Sequence, residues 1–253
     1  MRMTAFDANR HAIDRDYHDA IAGEYDDTVV APRAYCNDRL FGELLPRGRR
    51  SRALDLGCGT GHMLRRLAPT HDSVIGVDHS EGMLGVARRA LAGFSNVSLV
   101  HAEVGAFLQN VQGGFDTVSA VGFLHHLHEQ ELLGLFAGVR KVLAPDGDFV
   151  IAEPIQVSEA VPPAIAAWNA RSPILRTRYS IEVEDPDEAP LAEGRLLGML
   201  KESGFEVAAE ARCWEVFNHS AQPGWLERWR MGRLYRRYRG QGSVLALRLR
   251  GRR

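Results

Sequence analysis

The 253-residue sequence is poor in cysteine, with Cys36, Cys58 and Cys213 scattered and odd in number. That argues against a disulfide framework and fits a reducing cytoplasm. No apolar stretch approaches the roughly 20 residues that a membrane-spanning helix needs. The polar start, "MRMTAFDANRHAIDRDYHD", has no apolar signal core. Charge of one sign is also lacking, since the formal net charge is −1, so there is no bulk electrostatic case for nucleic acid or a membrane. There is no internal repeat and no low-complexity segment. No Gly-Lys-Ser/Thr follows the glycine-rich loop, which excludes a P-loop.

What is present is an ordinary globular composition, 45% hydrophobic and 25% charged. Near-continuous apolar runs, "RALDL", "SVIGVD", "VSLVHA", "FDTVSAV" and "DFVIAEP", read as strands buried on both faces. Amphipathic stretches lie between them. Ser80 is placed to cap a helix in which Met83, Leu84, Ala87, Ala90 and Leu91 share one face. "EQELLGLFAGVRKVL" keeps Leu132, Leu133, Phe136 and Val139 together and stops before "APDG", a turn signal. Such alternation predicts an α/β core over about residues 40–154, with a parallel sheet and helices on both faces. After Pro154 a long, Pro-punctuated stretch to residue 190 breaks the rhythm and reads as a substrate-side cap. The core rhythm resumes over 191–253, where "LAEGRLLGMLKESG" is helical, "FEVAAEARCWEVF" is extended and "SVLALRLR" is a final strand. A helical insertion at 218–242 separates the last two strands.

The loop "LDLGCGTGH" sets Gly57, Gly59 and Gly61 at alternate positions behind Asp55. Glycines there let the chain turn tightly and let a ligand touch the backbone. The spacing is G-x-G-x-G, with His62 where a dinucleotide fingerprint has its third glycine. Asp55 would repel a pyrophosphate but attract an ammonium or sulfonium. Asp78 ends the second strand, where it can accept from both ribose hydroxyls. Glu103 follows the third, within reach of an adenine amine. Three acids at successive strand ends describe a cationic adenosine ligand without phosphates, a description that S-adenosylmethionine meets.

The pieces "LDLGCGTG", "VIGVDHSEGML", "VSLVHAEVGAF", "FDTVSAVGFLHHL", "VRKVLAPDGDFVIAEP" and "LKESGFEV" resemble, in order and spacing, the class I S-adenosylmethionine-dependent methyltransferases. The resemblance implies a Rossmann-like seven-stranded sheet, mostly parallel with the last strand antiparallel. It implies that Asp55 and the loop backbone (Gly57, Cys58, Gly59, Gly61) hold the methionyl end, Asp78 the ribose and Glu103 the adenine. The family often has Asp where Glu103 stands. His79, Met83, Val104, Val121 and Phe123 complete the expected cofactor-binding set. Tyr17 and Tyr25, within residues 1–40, resemble aromatics on helices that fold over the cleft as a lid.

Methyl transfer from a sulfonium brings its own leaving group, so orientation can suffice. His126 matches a histidine common in this family beside the transferred methyl, where it serves either as a base or as a shaper of the pocket. Tyr25 is the other catalytic candidate. The histidines of "HHLH" have no cysteine nearby, and the sequence lacks the clustered acids that catechol-type methyltransferases use for magnesium, so metal-independent chemistry is expected. Trp168, Trp214, Trp225 and Trp229 suggest an aromatic pocket for a planar or lipophilic small molecule, or plain core. Met231, Leu234, Tyr235 and Tyr238 share one helix face, Trp225, Leu226 and Trp229 point elsewhere, and Gly232 marks a bend between them. The outer face is free to line a pocket or a homodimer contact. From Glu227 onward there are ten arginines against a single acid, which reads as a solvated face, a membrane-surface patch or a nucleic-acid patch. The expectation is a cytoplasmic small-molecule methyltransferase using O, N or C acceptors, of secondary-metabolite type. The alternatives are a methyltransferase acting on nucleic acid or another macromolecule, and a non-catalytic binding module. A nicotinamide oxidoreductase is disfavoured by the glycine spacing and by Asp55, and the amino-methyltransferase signature Asn/Asp-Pro-Pro-Tyr/Phe is absent after the fourth strand, where "AVGF" stands.

Overall fold

The computed structural model describes residues 5–172, 189–220 and 222–252, so residues 173–188 of the expected 155–190 cap lie outside the described residues. Seven strands form one sheet: β1 (Arg50–Leu56), β2 (His71–Asp78), β3 (Val97–His101), β4 (Phe115–Val121), β5 (Leu143–Pro154), β6 (Phe205–Cys213) and β7 (Val244–Gly251). Their order is β3-β2-β1-β4-β5-β7-β6. The pairs among β1 to β5 are parallel, and β7 runs antiparallel to both β5 and β6. The order reverses between β1 and β4, so the crevice at their carboxyl ends is the place where an open α/β sheet takes a ligand.

The helices are α1 (Ala5–Tyr25), α2 (Ala31–Leu44), α3 (Leu64–Leu67), α4 (Glu81–Ala90), α5 (Val104–Asn110), α6 (Glu129–Val142), α7 (Pro163–Asn169), α8 (Glu193–Glu202) and α9 (Trp225–Arg237). Strand alternation sends Ala53 into one core and Leu54 and Leu56 into the other. The first core takes α2, α3, α4 and α9, and the second takes α5, α6 and α8. Ser80 caps α4 as its type predicts, accepting from the Met83 N–H at 3.0 Å. α1 lies across the carboxyl edge on α4, where Ile21, Tyr17 and Tyr25 meet Met83 and Val86. Asp19 fixes that docking, because its Oδ1 accepts from Ser80 Oγ at 2.6 Å and from the Gly82 N–H at 2.8 Å.

Several local expectations change. β3 is an edge strand, and its side chains are half-exposed or exposed rather than buried on both faces. Leu133 and Ala90 face solvent, and Leu135 takes the inward place on α6. "APDG" is no free turn: Phe115 pairs with Leu143 and Thr117 with Asp148, so the segment is accommodated as an irregularity within β5. α9 runs unbroken through Gly232, which is there for proximity, since a Cβ would stand 2.8 Å from the Tyr35 hydroxyl.

Candidate active site

The loop between β1 and α3 turns through three left-handed residues: Gly57 (φ 65°), Gly59 (φ 50°) and Gly61 (φ 86°). Each φ favours glycine. Gly57 also lets the Phe123 ring approach, because a Cβ would lie 2.4 Å from it. The loop opens into a cavity of about 1820 Å³ at the sheet's carboxyl edge. Ligand pockets usually fall near 300–1,000 Å³, so this one has room for two small molecules side by side.

Of the residues singled out from the sequence, Tyr17, Tyr25, Asp55, Gly57, Cys58, Gly59, Asp78, His79, Met83, Glu103, Val104, Val121, Phe123 and His126 all line this cavity. Gly61 does not: a Cβ there would sit 2.8 Å from Leu91 Cδ1, so it packs the loop onto the end of α4 instead. The tryptophans do not line it either. Trp214 is in the core, Trp168 stacks on His219 at 4.1 Å, and Trp225 and Trp229 face outward. The aromatic surface of the cavity comes from Tyr17, Tyr25, Phe123 and histidines.

The acids differ in surroundings. Asp55 is buried at the end of β1, and its Oδ1 accepts from the Ser119 hydroxyl on β4 at 2.6 Å. Burial pushes its carboxyl up to about 7, and the neighbouring Asp78 adds to the rise. A buried acid whose partner is a neutral hydroxyl is suited to an incoming cation. Asp78 holds the loop by accepting from the Gly59 N–H at 2.8 Å and the Ser80 N–H at 2.9 Å. Glu103 is half-exposed and stands 3.7 Å from His79 Nδ1, and the nearby imidazole holds the carboxyl below its usual range.

A second set of residues was not legible in the sequence. Asp14, on α1, meets His126 Nδ1 at 2.9 Å and His79 Nε2 at 3.2 Å. Burial works to raise its pKa, but the hydrogen bonds to His126 and His79 and the charge of His126 and His18 outweigh it and hold Asp14 well below the carboxylate range. Burial likewise opposes charge on His79, yet Asp14 and Glu103 raise it to about 10. Glu153, buried at the tip of β5, accepts from the backbone N–H of Phe123 and Leu124 at 3.0 and 2.9 Å and meets His125 Nδ1 at 2.8 Å. It thereby fixes the turn that carries His126, whose ring lies 4.2 Å from that of His125. Asp14, His18 and His126 each offer one possible ligand atom, all within 4.8 Å of one another. The available signal was a helical stripe, Asp14–His18–Ile21–Tyr25, with polar residues at positions that an apolar seam would fill.

The family described as "Methyltransferase domain" matches residues 53–147. A demethylmenaquinone methyltransferase of Clavibacter sepedonicus is 41% identical over 102 residues, 40% of this chain and 40% of that protein. An O-methyltransferase of Pyrenophora dematioidea is 26% identical over 72% of this chain and 64% of that one. The chain thus spans less than two thirds of either relative. The solved N-methyltransferase NodS from Bradyrhizobium japonicum WM9, in complex with S-adenosyl-L-homocysteine, superposes with a TM-score of 0.64 at 17% identity, covering 94% of this chain and 98% of that one. Residues 53–147 thus match a methyltransferase domain, and the seven-stranded sheet around them has the fold of the solved methyltransferase.

Proposed function

We propose that the protein transfers a methyl group from S-adenosylmethionine to a small aromatic or lipophilic acceptor, with an oxygen nucleophile the one its side chains serve best. The observation that carries this reading is Asp55: an acid buried behind a left-handed glycine loop, bonded to a neutral hydroxyl, at the switch point of the sheet. Asp55 and the loop backbone hold the cationic methionyl end, Asp78 the ribose and Glu103 the adenine. Tyr17, Met83, His79, Val104, Val121, Phe123 and Cys58 form the walls. When bound, S-adenosylmethionine supplies a methyl group on an already activated leaving group.

The chain's part is to orient the acceptor and take its proton. Asp14, held ionised, can only accept, so it orients the His126 ring through Nδ1, and His126 serves as the proton acceptor. Asp14 is a positioning residue in this scheme, and Tyr25 borders the same space. α1 acts as the lid that excludes water, with the segment 155–190 as the substrate cap and metal-independent chemistry throughout. The likeness to an O-methyltransferase supports an oxygen acceptor, and the likeness to a demethylmenaquinone methyltransferase supports a small lipophilic one. The buried free thiols of Cys36, Cys58 and Cys213 suit a cytoplasmic protein.

Titration calorimetry with S-adenosylhomocysteine tests the cofactor half of the proposal. The parent chain binds it, and Asp78→Ala binds roughly 1–3 kcal/mol more weakly through lost hydrogen bonds. Tight NAD binding with no S-adenosylhomocysteine binding would reverse the assignment. A metabolite screen with labelled methyl donor then identifies the acceptor.

A further inference from the structure

Helix α9 has two unlike faces. Its inner face, Met231, Gly232 and Tyr235, is buried against α2, with the Tyr35 and Tyr235 rings edge-to-face at 6.4 Å. Its outer face carries Trp225 (80% exposed), Leu226 (42%) and Trp229 (50%). Six large apolar residues are exposed among the described residues, and three of them stand here. At 3.6 residues per turn, Trp225, Leu226, Trp229, Arg233 and Arg236 fall within an arc of about 100°, with Arg237 and Arg230 just beyond its Leu226 edge. Those four arginines are exposed, and Arg233 lies over the Trp229 ring at 5.1 Å. The helix's acid, Glu227, is turned to its own N-terminal loop, accepting from the His219 N–H and the Ser220 hydroxyl.

We propose that this face docks the chain on an anionic lipid surface. Indole rings and Leu226 enter the headgroup layer while the arginines meet lipid phosphates. Indole combines an apolar body with a polar N–H and settles at such boundaries. Guanidinium matches phosphate with two parallel hydrogen bonds. A helix of 13 residues, about 20 Å long, lies in the interface rather than across it. The whole chain is near neutral, so the attraction belongs to this helix. A second copy is a poor occupant, because a two-fold contact would set one arginine row against the other. Nucleic acid uses arginines and stacking tryptophans but leaves Leu226 without a role. No residue of α9 lines the cavity, so the proposal does not depend on the reaction assigned above.

The test is co-sedimentation of the full chain with vesicles of equimolar phosphatidylglycerol and phosphatidylcholine, and with phosphatidylcholine alone. The ionic strength is about 0.1 M, where charges act over about 10 Å. The expected result is binding to the mixed vesicles with a blue-shifted tryptophan emission, and none to phosphatidylcholine alone. Replacing Arg233, Arg236 and Arg237 by Gln weakens binding roughly a hundredfold, at about fivefold for each arginine near an anionic surface. The pair Trp225→Ser and Trp229→Ser also loses binding. S-adenosylhomocysteine affinity serves as the control for folding, and both variants keep the parent value. The proposal is overturned by failure to sediment with the mixed vesicles, by equal binding to phosphatidylcholine, or by a tryptophan variant that binds like the parent. It is also overturned by an oligonucleotide that binds as tightly and displaces the chain from the vesicles, or by dimerisation that requires Trp225 and Trp229.

Discussion

Asp55 titrates near neutrality because it is desolvated, and an arriving ammonium favours its ionised form. Affinity for S-adenosylhomocysteine therefore falls as pH drops through about 7 and levels off above it. At one pH unit below, the loss is about tenfold, since a carboxyl is then about one-tenth ionised. Calorimetry between pH 5.5 and 8.5 also shows proton release on binding near pH 7, and a flat profile removes Asp55 from the site. His126 and Asp14 form the other residue-scale unit. His126→Ala lowers kcat on the order of 10²-fold or more if it is the base. Asp14→Asn loses part of that with cofactor affinity kept, and the double variant is no worse than His126→Ala alone, because coupled residues are not additive. Additive losses would separate the two. Exhaustive dialysis against EDTA leaves turnover unchanged on this reading. Loss restored by a divalent ion makes Asp14, His18 and His126 ligands instead. At this scale the strand-end acids and two of the three loop glycines were legible, because strand ends and glycine spacing are local properties. Asp14 was not, since its meaning lies in a partner 112 residues away.

At the scale of elements, α1 is tied to the sheet edge by Asp14 between His79 and His126 and by Asp19 at the start of α4. His79 has its pKa raised in the folded state, so the stabilisation it gives is complete below its unfolded value near 6.5. That stabilisation is lost as pH rises through about 10. Amide hydrogen exchange of α1, corrected for intrinsic rate, accordingly accelerates relative to β1 and β4 in alkaline solution. In His79→Asn that pH dependence disappears. Equal protection of α1 at pH 7 and pH 10.5 would show that the histidine contact does not hold the helix. Element type followed from hydrophobic period in the core, whereas β3 and "APDG" departed from it. A strand at a sheet edge needs no second buried face, and a turn-forming tetrapeptide can be absorbed when β-pairing continues on either side of it.

At the scale of the molecule, the cavity joins α1, α2, the β1, β2 and β4 tips and the start of β7. A ligand that fills it binds the folded chain alone and stabilises it as a whole. At 100 times its Kd, S-adenosylhomocysteine adds about 2.7 kcal/mol. For a chain of this size the expected rise in Tm is roughly 5–10 °C, read by calorimetry, and it shrinks in Asp78→Ala at the same concentration. The opposite end of the sheet has its own anchor. Asp148, fully buried, meets Arg50 at 3.0 Å and Arg250 at 3.1 Å, a charge cluster that no motif announced.

The sequence by itself determined the parallel α/β core, the left-handed glycine loop and the acids at three strand ends, because backbone freedom, strand period and charge are written in neighbouring residues. Only the tertiary structure decided which side chains face one another. Docking α1 over the sheet made Asp14 the partner of His79 and His126, and packing α9 on α2 turned Trp225 and Trp229 outward, away from the cavity. Both outcomes depend on which face of an amphipathic helix meets which neighbour. Composition and spacing leave that open until the whole chain has buried its apolar surface.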